Sequence, residues 1–364
     1  MISKDKLNLF LSPTTRCNAH CPQCHRNDKN TLKTRSDLPL ISWTLEEVKE
    51  ILPPDVIANC KFLKVCGTWG DPMLCKEIFE IVDYLLDYIP AWGMISIDTN
   101  GSMGNDDWWW KFGKMVSRPR ASHIFKNKTV KKKIEVVFDI DGIDQEMHER
   151  YRVDTNLEKI LNNMEILSNS LCKVRSQSIL FKHNVDHKDQ IKDMSYEYGS
   201  ESHSSIVSNR FEYNSDGNPI PFYYGPNNSL MMEKADVDDN FKKNAVVSRT
   251  NVSELTDKVS CIWDKDNTLY ISSNGLVLPC CYFGNNFFMT RYIEHRPDKY
   301  SNHVIDEYDI DTHDLHKNHL FDIIDNSPWF NNVLPDSIEN NPCDTCKKNC
   351  KKTPYNQIRL VEKQ

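Results

Sequence analysis

The sequence predicts an α/β fold: a partial, open (β/α)6 TIM-like barrel followed by a small C-terminal domain. Three observations carry this. Short apolar strands alternate with amphipathic helices between residues 7 and 213, the alternation lapses from Asn214 to Val259 in a stretch rich in Asn, Asp, Gly, Pro and Lys, and cysteines gather again beyond it. Alternation of this kind means parallel βα units, and six units are too few to close an eight-fold barrel. The reading assigns residues 1–235 to the barrel and 236–364 to the second domain.

Leu7, Leu9 and Leu11 alternate as the first strand. Thr44 and Glu47 form a capping box for a helix to Leu52, which Pro53 and Pro54 stop. Phe62, Leu63 and Val65 make the second strand, and Ile78, Ile81, Val82, Leu85 and Ile89 line one face of its helix. Ile95 and Ile97 belong to strand three, whose helix carries Trp108, Trp109 and Trp110, read as packing in preference to substrate stacking. Ile134 to Phe138 is strand four, with Leu157, Ile160, Leu161, Met164 and Leu167 on the following helix. Ile179 to Phe181 reads as strand five, Asp186 to Tyr198 as its helix, Ser205 to Tyr213 as strand six and Asn214 to Val259 as linker.

At 364 residues, with 39% apolar and 27% charged content, the chain has the composition of an ordinary folded protein with room for more than one domain. No secretory leader or membrane span is evident, since Glu80, Asp83 and Asp87 interrupt the apolar stretch Ile78 to Ile89. In such a chain thirteen clustered cysteines point to metal and not to disulfides, and to a reducing, cytoplasmic setting. A net charge of −7 offers no general attraction for a phosphate backbone, so no nucleic-acid partner is expected. The basic run Lys126, Lys128, Lys131, Lys132 and Lys133 reads as a solvated loop entering a strand, with an acidic-substrate patch as the alternative.

After strand one stand Cys17, Cys21 and Cys24, spaced Cys-x-x-x-Cys-x-x-Cys. A [4Fe-4S] cluster normally takes four Cys ligands, so three leave one iron open to a small molecule. A structural zinc site or half of a ferredoxin-like loop are the plainer alternatives, but zinc wants four ligands in paired short spacings and the next cysteine is Cys60. The run Cys17-Asn18-Ala19-His20-Cys21-Pro22-Gln23-Cys24 resembles the signature of the radical S-adenosylmethionine (SAM) enzymes. The resemblance implies that the open iron chelates the methionine part of SAM, that one electron releases a 5′-deoxyadenosyl radical, and that a flavodoxin or ferredoxin supplies the electron.

Chemistry in such barrels gathers at the C-terminal ends of the strands. After strand two, Cys66-Gly67-Thr68-Trp69-Gly70-Asp71-Pro72 is similar to the family's Gly-Gly-Glu-Pro loop, which receives the methionine amino group. Trp69 replaces the first Gly of the usual pair and Asp71 the Glu, leaving Gly70 and Asp71 as the matching positions. The plain alternative is a tight strand-to-helix connection. Asp98-Thr99-Asn100-Gly101 resembles the family's Thr-Asn-Gly turn, so Thr99 and Asn100 join the expected SAM contacts, or form a plain polar turn. Phe138-Asp139-Ile140-Asp141-Gly142, with His148 and Arg152, is similar to the Ser-hydrophobic-Asp-Gly, His, Arg pattern of peptide-modifying members, which places Asp139 or Asp141 near the ribose hydroxyls. Asn184 has a weaker counterpart. Gln23 stands where the family usually carries an aromatic or apolar residue against the adenine.

In the C-terminal block, Cys261 is followed by Gly275 and by Cys280 with Cys281 beside it. Leu269, Ile271, Asn274-Gly275, Val277 and Pro279 read as a β-hairpin that brings Cys261 and Cys280 together. Cys343 and Cys346 form a Cys-x-x-Cys trailed by Cys350, after a helix containing Leu315, Leu320, Ile323 and Ile324. The arrangement resembles the auxiliary-cluster extensions called SPASM (two clusters) and twitch (one cluster). Without the longer Cys run of the former, it implies one auxiliary [4Fe-4S] cluster on Cys261, Cys280, Cys343 and Cys346, with Cys350 able to replace a ligand and structural zinc on the same thiolates as the alternative. Cys60, Cys66, Cys75, Cys172 and Cys281 read as buried, inert thiols. Members with this extension most often modify peptides or proteins. Oxidation of a small polar metabolite is the second reading, and a non-catalytic metal-bound scaffold the third.

Overall fold

The computed structural model describes residues 2–120, 133–208, 210–237, 245–247, 259–292, 303–350 and 360–362. The parallel strands are β1 (Leu7–Leu11), β2 (Cys60–Val65), β3 (Met94–Thr99), β4 (Ile134–Asp139), β5 (Lys173–Leu180) and β6 (His203–Val207), laid side by side in chain order. Between them run α1 (Leu45–Ile51), α2 (Pro54–Ala58), α3 (Ile78–Tyr88), α4 (Asp106–Val116), α5 (Gln145–Glu149), α6 (Leu157–Ser168) and α7 (Lys188–Glu197). This is the α/β, partial-barrel fold read from the sequence. The Thr44 capping box is present, with both of its reciprocal hydrogen bonds. Pro53 and Pro54 end α1 as expected, but Pro54 also opens α2, because the first helical position needs no N–H donor.

Leu9, Leu11, Leu63, Val65, Ile95, Ile97, Val136 and Phe138 are buried on one side of the sheet, in one core with Ile81, Val82, Leu85 and Ile160 of the helices. Alternation sends their neighbours to the other side, the barrel lumen. Register aligns Phe10, Lys64, Ser96 and Glu135 there in one row, Asp98, Val137 and Arg175 in the next, and Asp139, Gln177 and Ser204 nearest the C-terminal ends.

Beyond the six units, the hairpin of β12 (Thr268–Ile271) and β13 (Val277–Leu278) does form, and β12 pairs in parallel with β1. The sheet therefore has eight strands in the order β13-β12-β1-β2-β3-β4-β5-β6. β1 would otherwise end the sheet with a bare row of N–H and C=O groups; β12 pairs that row, and the two-residue β13 leaves little new edge.

Three element boundaries differ from the sequence reading. β5 begins at Lys173, six residues before Ile179. Its core-facing positions include Ser176 and Ser178, whose hydroxyls bond His203 and the Ile140 carbonyl, so the period-2 signal is carried by burial and not by apolarity. β6 stops at Val207, and Glu212–Tyr213 (β7) instead pairs with Pro219–Ile220 (β8). Within the expected linker, Phe222–Tyr224 (β9) pairs with Leu230–Met232 (β10), and Ala245–Val247 (β11) with Leu360–Glu362 (β14).

The C-terminal part adds α8 (Ile262–Lys265), α9 (Cys281–Tyr292), α10 (His303–Asp306), α11 (Ile310–His313), α12 (Leu320–Asn326), a π turn at Trp329–Val333, α13 (Leu334–Asn340) and α14 (Asp344–Cys350). Leu315 precedes α12 instead of belonging to it. Lys133 is not solvated: its ammonium is buried against the carbonyls of Pro90, Ala91 and Gly93, while Lys126, Lys128, Lys131 and Lys132 lie outside the described residues. Trp109 is fully buried, Trp108 stacks on Phe112, and Trp110 is exposed. Among the described residues no helix is long and apolar enough to cross a membrane.

Candidate active site

β1 delivers the three-cysteine loop to the C-terminal mouth of the barrel. Each end of the loop is held by a different βα connection. Asn100 donates to Asn18 Oδ1 at 2.9 Å and approaches Cys17 Sγ at 3.7 Å, while Asn18 donates to Ser102 Oγ at 2.7 Å. Arg152 stands 4.0 Å from Cys21 Sγ. Cys17, Cys21 and Cys24 pack with Ala19, Tyr151, Phe181, Phe211, Tyr224 and Met232, an apolar seat in which Cys21 is buried and Cys17 and Cys24 are half-buried. Burial pushes the Cys17 thiol up, with the Asp71 charge and Cys21 adding to it. Cys21 is pushed up to about 12 by burial, against the pull of Arg152.

The loop after β2 lies against this one. Gly70 is packed so closely that a Cβ there would meet the Thr14 carbonyl oxygen at 2.4 Å and that of Arg16 at 2.6 Å. The Asp71 N–H donates to the Arg16 carbonyl at 2.7 Å. Asp71 itself is buried, and its carboxylate accepts from the Met73 N–H at 3.0 Å, the Thr99 hydroxyl at 2.9 and 3.0 Å and the Asn100 N–H at 2.7 Å. Gly70, Asp71, Thr99 and Asn100, far apart in sequence, thus meet beside Cys17, and the acidic residue fastens the β2 connection to the β3 connection. Burial raises the Asp71 carboxyl, and these hydrogen bonds oppose the rise.

Asp139 and Asp141, which the sequence leaves equivalent, occupy different environments. Asp141 is fully buried, bonded to the Ile179 N–H and paired with the Arg152 Nε. Asp139 ends the lumen-facing row, accepting from Gln177 Nε2 at 2.7 Å and from Arg152 at 2.8 Å. Burial pushes its carboxyl up to about 7, Arg152 resisting and Asp141 assisting. Asn184 supports Asp141, donating to its carbonyl at 2.9 Å. His148 is buried, accepts from the Asp141 N–H at 3.1 Å, and is held down to about 4 by burial.

Gln23 is tied to the segment after β6: its side chain donates to the Arg210 carbonyl at 3.0 Å and accepts from Ser208 Oγ at 2.9 Å, and Arg210 donates back to the Gln23 carbonyl at 3.0 Å. Its polar side chain therefore anchors the cysteine loop to the segment that follows the last barrel strand. Sequence reasoning missed Gln177, Ser208 and Arg210 here, because only strand register and the turn after β6 bring them to the mouth. It also missed the lumen pairs Lys64–Asp98 and Arg175–Glu135, for which charged residues alternating inside β2 to β5 were the available signal.

The second thiol group lies where β12–β13, α9 and α14 meet. Cys261, Cys280, Cys346 and Cys350 line one cavity with Ile262, Pro279, Tyr282, Phe283, Leu334 and Thr345. Cys343 is buried beside it, its thiol 3.6 Å from that of Cys346. That hydrogen bond draws Cys343 down to about 6 and pushes its partner up. Cys60, Cys75 and Cys172 are buried thiols, as expected, whereas Cys66 and Cys281 are half-buried.

Among the described residues no group of three or more His, Cys, Asp and Glu side chains is arranged as a site for a single ion. The donor set nonetheless suits a cluster at each place: thiols only, against apolar walls, three of them beside a polar network at the barrel mouth and four lining the C-terminal pocket with Cys343 next to it.

No curated protein matches the chain. Among solved structures it is similar to Streptococcus suis SuiB, at 14% identity and TM-score 0.55 over 91% of this chain and 68% of that one. It is also similar to anSMEcpe with bound AdoMet, at 12% identity and TM-score 0.53 over 97% of this chain and 93% of that one. These likenesses show the fold. The sequence pattern of the radical SAM superfamily matches residues 11–194, a span that holds the three-cysteine loop, the Asp71–Thr99–Asn100 network and the strand ends that carry Asp139 and Asp141, and the chain belongs to that superfamily.

Proposed function

We propose that this radical SAM enzyme modifies a peptide or protein by abstracting hydrogen from an unactivated C–H bond. When bound, a [4Fe-4S] cluster and SAM supply the one-electron chemistry that yields a 5′-deoxyadenosyl radical. Cys17, Cys21 and Cys24 hold the cluster. Gly70 brings backbone close to the methionine end, Asp71 fixes Thr99 and Asn100 toward it, and Asp139 presents a carboxylate at the ribose position, with Asp141 behind it orienting Arg152. Tyr151, Phe181 and Phe211 give the cysteine loop an apolar seat. Cys261, Cys280, Cys343 and Cys346, or Cys350 in place of one, hold an auxiliary [4Fe-4S] cluster, and a flavodoxin or ferredoxin delivers the electron.

The observation that carries the reading is the convergence of three thiols with the Asp71–Thr99–Asn100 network at one barrel mouth. Two further facts support a peptide substrate. SuiB has been solved bound to its precursor peptide SuiA, and anSMEcpe with AdoMet and a peptide. On this chain the hairpins after β6 expose Tyr213, Ile220, Tyr223, Leu230 and Met231, while Tyr224 and Met232 of the same hairpins pack against the cysteine loop. The paired charges of the lumen favour a second reading, oxidation of a small polar metabolite.

The test is anaerobic reconstitution with iron and sulfide, reduction by dithionite and incubation with SAM. Formation of 5′-deoxyadenosine is expected. Its absence, with zinc at both thiol groups, would overturn the reading. Deuterium transfer into 5′-deoxyadenosine from labelled peptides, against labelled polar metabolites, separates the two substrate classes.

A further inference from the structure

Trp69 occupies a loop position at which the sequence pattern leads one to expect glycine, and its indole is buried. The ring does not pack into the barrel core. It joins Leu38 with Phe288 and Met289 of α9 in a separate apolar cluster, and lies 4.8 Å from the Phe288 ring. Its N–H has no acceptor among the described residues, so packing alone seats it.

α9 begins at the other metal site. Cys280 immediately precedes it, the Gly284 N–H bonds the Cys280 carbonyl at 2.9 Å, and the Phe283 N–H approaches Cys280 Sγ at 3.4 Å. Asn286 ties the middle of the helix to Thr345 of α14, between Cys343 and Cys346. A Cβ on Gly284 would meet the Tyr270 ring at 2.3 Å, so α9 also lies flush on β12. From Cys281 to Phe288 is two turns, about 10 Å of rigid helix.

At its far end the β2 connection has no slack. A Cβ at Gly67 would collide with the Gly70 carbonyl, Gly70 is pressed onto Thr14 and Arg16, and Arg26 donates to the Trp69 carbonyl at 3.2 Å. A shift of α9 therefore moves Trp69, and with it the backbone that runs into Cys17 and beyond Cys24.

We propose that Trp69 is a positioning residue that couples the C-terminal thiol site to SAM binding: filling the thiol pocket seats α9, and α9 through Phe288 and Trp69 sets the Gly67–Asp71 loop. The inference rests on the reading above that this loop holds SAM and that the C-terminal thiols hold a cluster. A packed two-ended element of this kind carries coupling between sites, and the coupling is reciprocal in binding free energy.

A double-mutant cycle tests it. SAM affinity, and the change that SAM produces in the electron paramagnetic resonance spectrum of the N-terminal cluster, are measured anaerobically for the reconstituted chain, Cys280→Ala, Trp69→Gly and the double variant. Cys280→Ala is expected to weaken SAM binding at least fivefold when Trp69 is present and less than twofold when it is Gly. Trp69→Phe, which keeps a ring against Phe288, should restore the fivefold dependence. Phe288→Ala, altered on the other side of the contact, should abolish it. Equal effects of Cys280→Ala in both backgrounds would overturn the coupling alone. Failure of the unaltered chain to bind SAM would overturn the reading of the loop and the coupling with it.

Discussion

The two thiol groups of this chain differ in what surrounds them. At the barrel mouth, three cysteines sit between an apolar wall and a polar one, with Asn100, Asp71, Arg152 and Asp139 at hand. In the C-terminal pocket, Cys261, Cys280, Cys346 and Cys350 face Ile262, Pro279, Phe283 and Leu334, with Cys343 beside Cys346, and the polar groups lining it with them belong to Tyr282 and Thr345. A site that must bind a small polar ligand beside its metal keeps both an open position and hydrogen-bonding partners. A site that needs only to hold metal is closed by thiolates and hydrocarbon.

The sharpest way to break this comparison is to remove each thiol group in turn. Changing Cys17, Cys21 and Cys24 together to Ala should abolish 5′-deoxyadenosine formation and leave about four of about eight irons. Changing Cys261 and Cys280 should also leave about four, with cleavage retained at saturating SAM. Iron and sulfide assays with product chromatography check both, and loss of all iron from either variant would show one site where two are proposed.

A smaller effect is expected at Asp71. Its removal leaves the Met73 and Asn100 N–H groups and the Thr99 O–H without their acceptor in a buried place, at about 1–3 kcal/mol for each orphaned donor. Asp71→Ala should therefore weaken SAM binding at least about tenfold, roughly 1.4 kcal/mol, while the iron content stays unchanged. Calorimetric titration of SAM reads this directly.

The smallest effect concerns Asp139. Burial raises its carboxyl to about 7, above its ordinary value, so its contribution to stability is fully present at low pH and is lost as pH rises through about 7. Asp139→Asn should flatten the fall in stability of the metal-free protein between about pH 4 and 7. Urea unfolding along that pH series is the measurement, and an unchanged slope would show that Arg152 keeps the carboxylate ionised throughout.

The strands up to β4 were legible because Leu, Val and Ile mark every second residue on the core side. β5 was legible only at its end, since buried serines hide the same period. At the site, the cysteine spacing identified one set of thiols, and the β2 and β3 connections could be matched to it by their place after strands. Which of Asp139 and Asp141 faces the lumen was not legible, because both are carboxylates two residues apart and only burial by β5 and Arg152 separates them.

What the sequence determined by itself is local: alternating periods that require parallel βα units, a capped first helix, a hairpin turn at Asn274-Gly275, and thiols spaced for a cluster. Only the tertiary structure decided that this hairpin completes the edge of the barrel sheet beside β1, that Gln23 binds the segment just after β6, and that Trp69 meets Phe288 across more than two hundred residues of chain. Spacing along a chain governs which groups can share a turn or a face. Contacts between distant segments are settled by which unpaired edges and apolar surfaces remain to be covered once the local elements have formed.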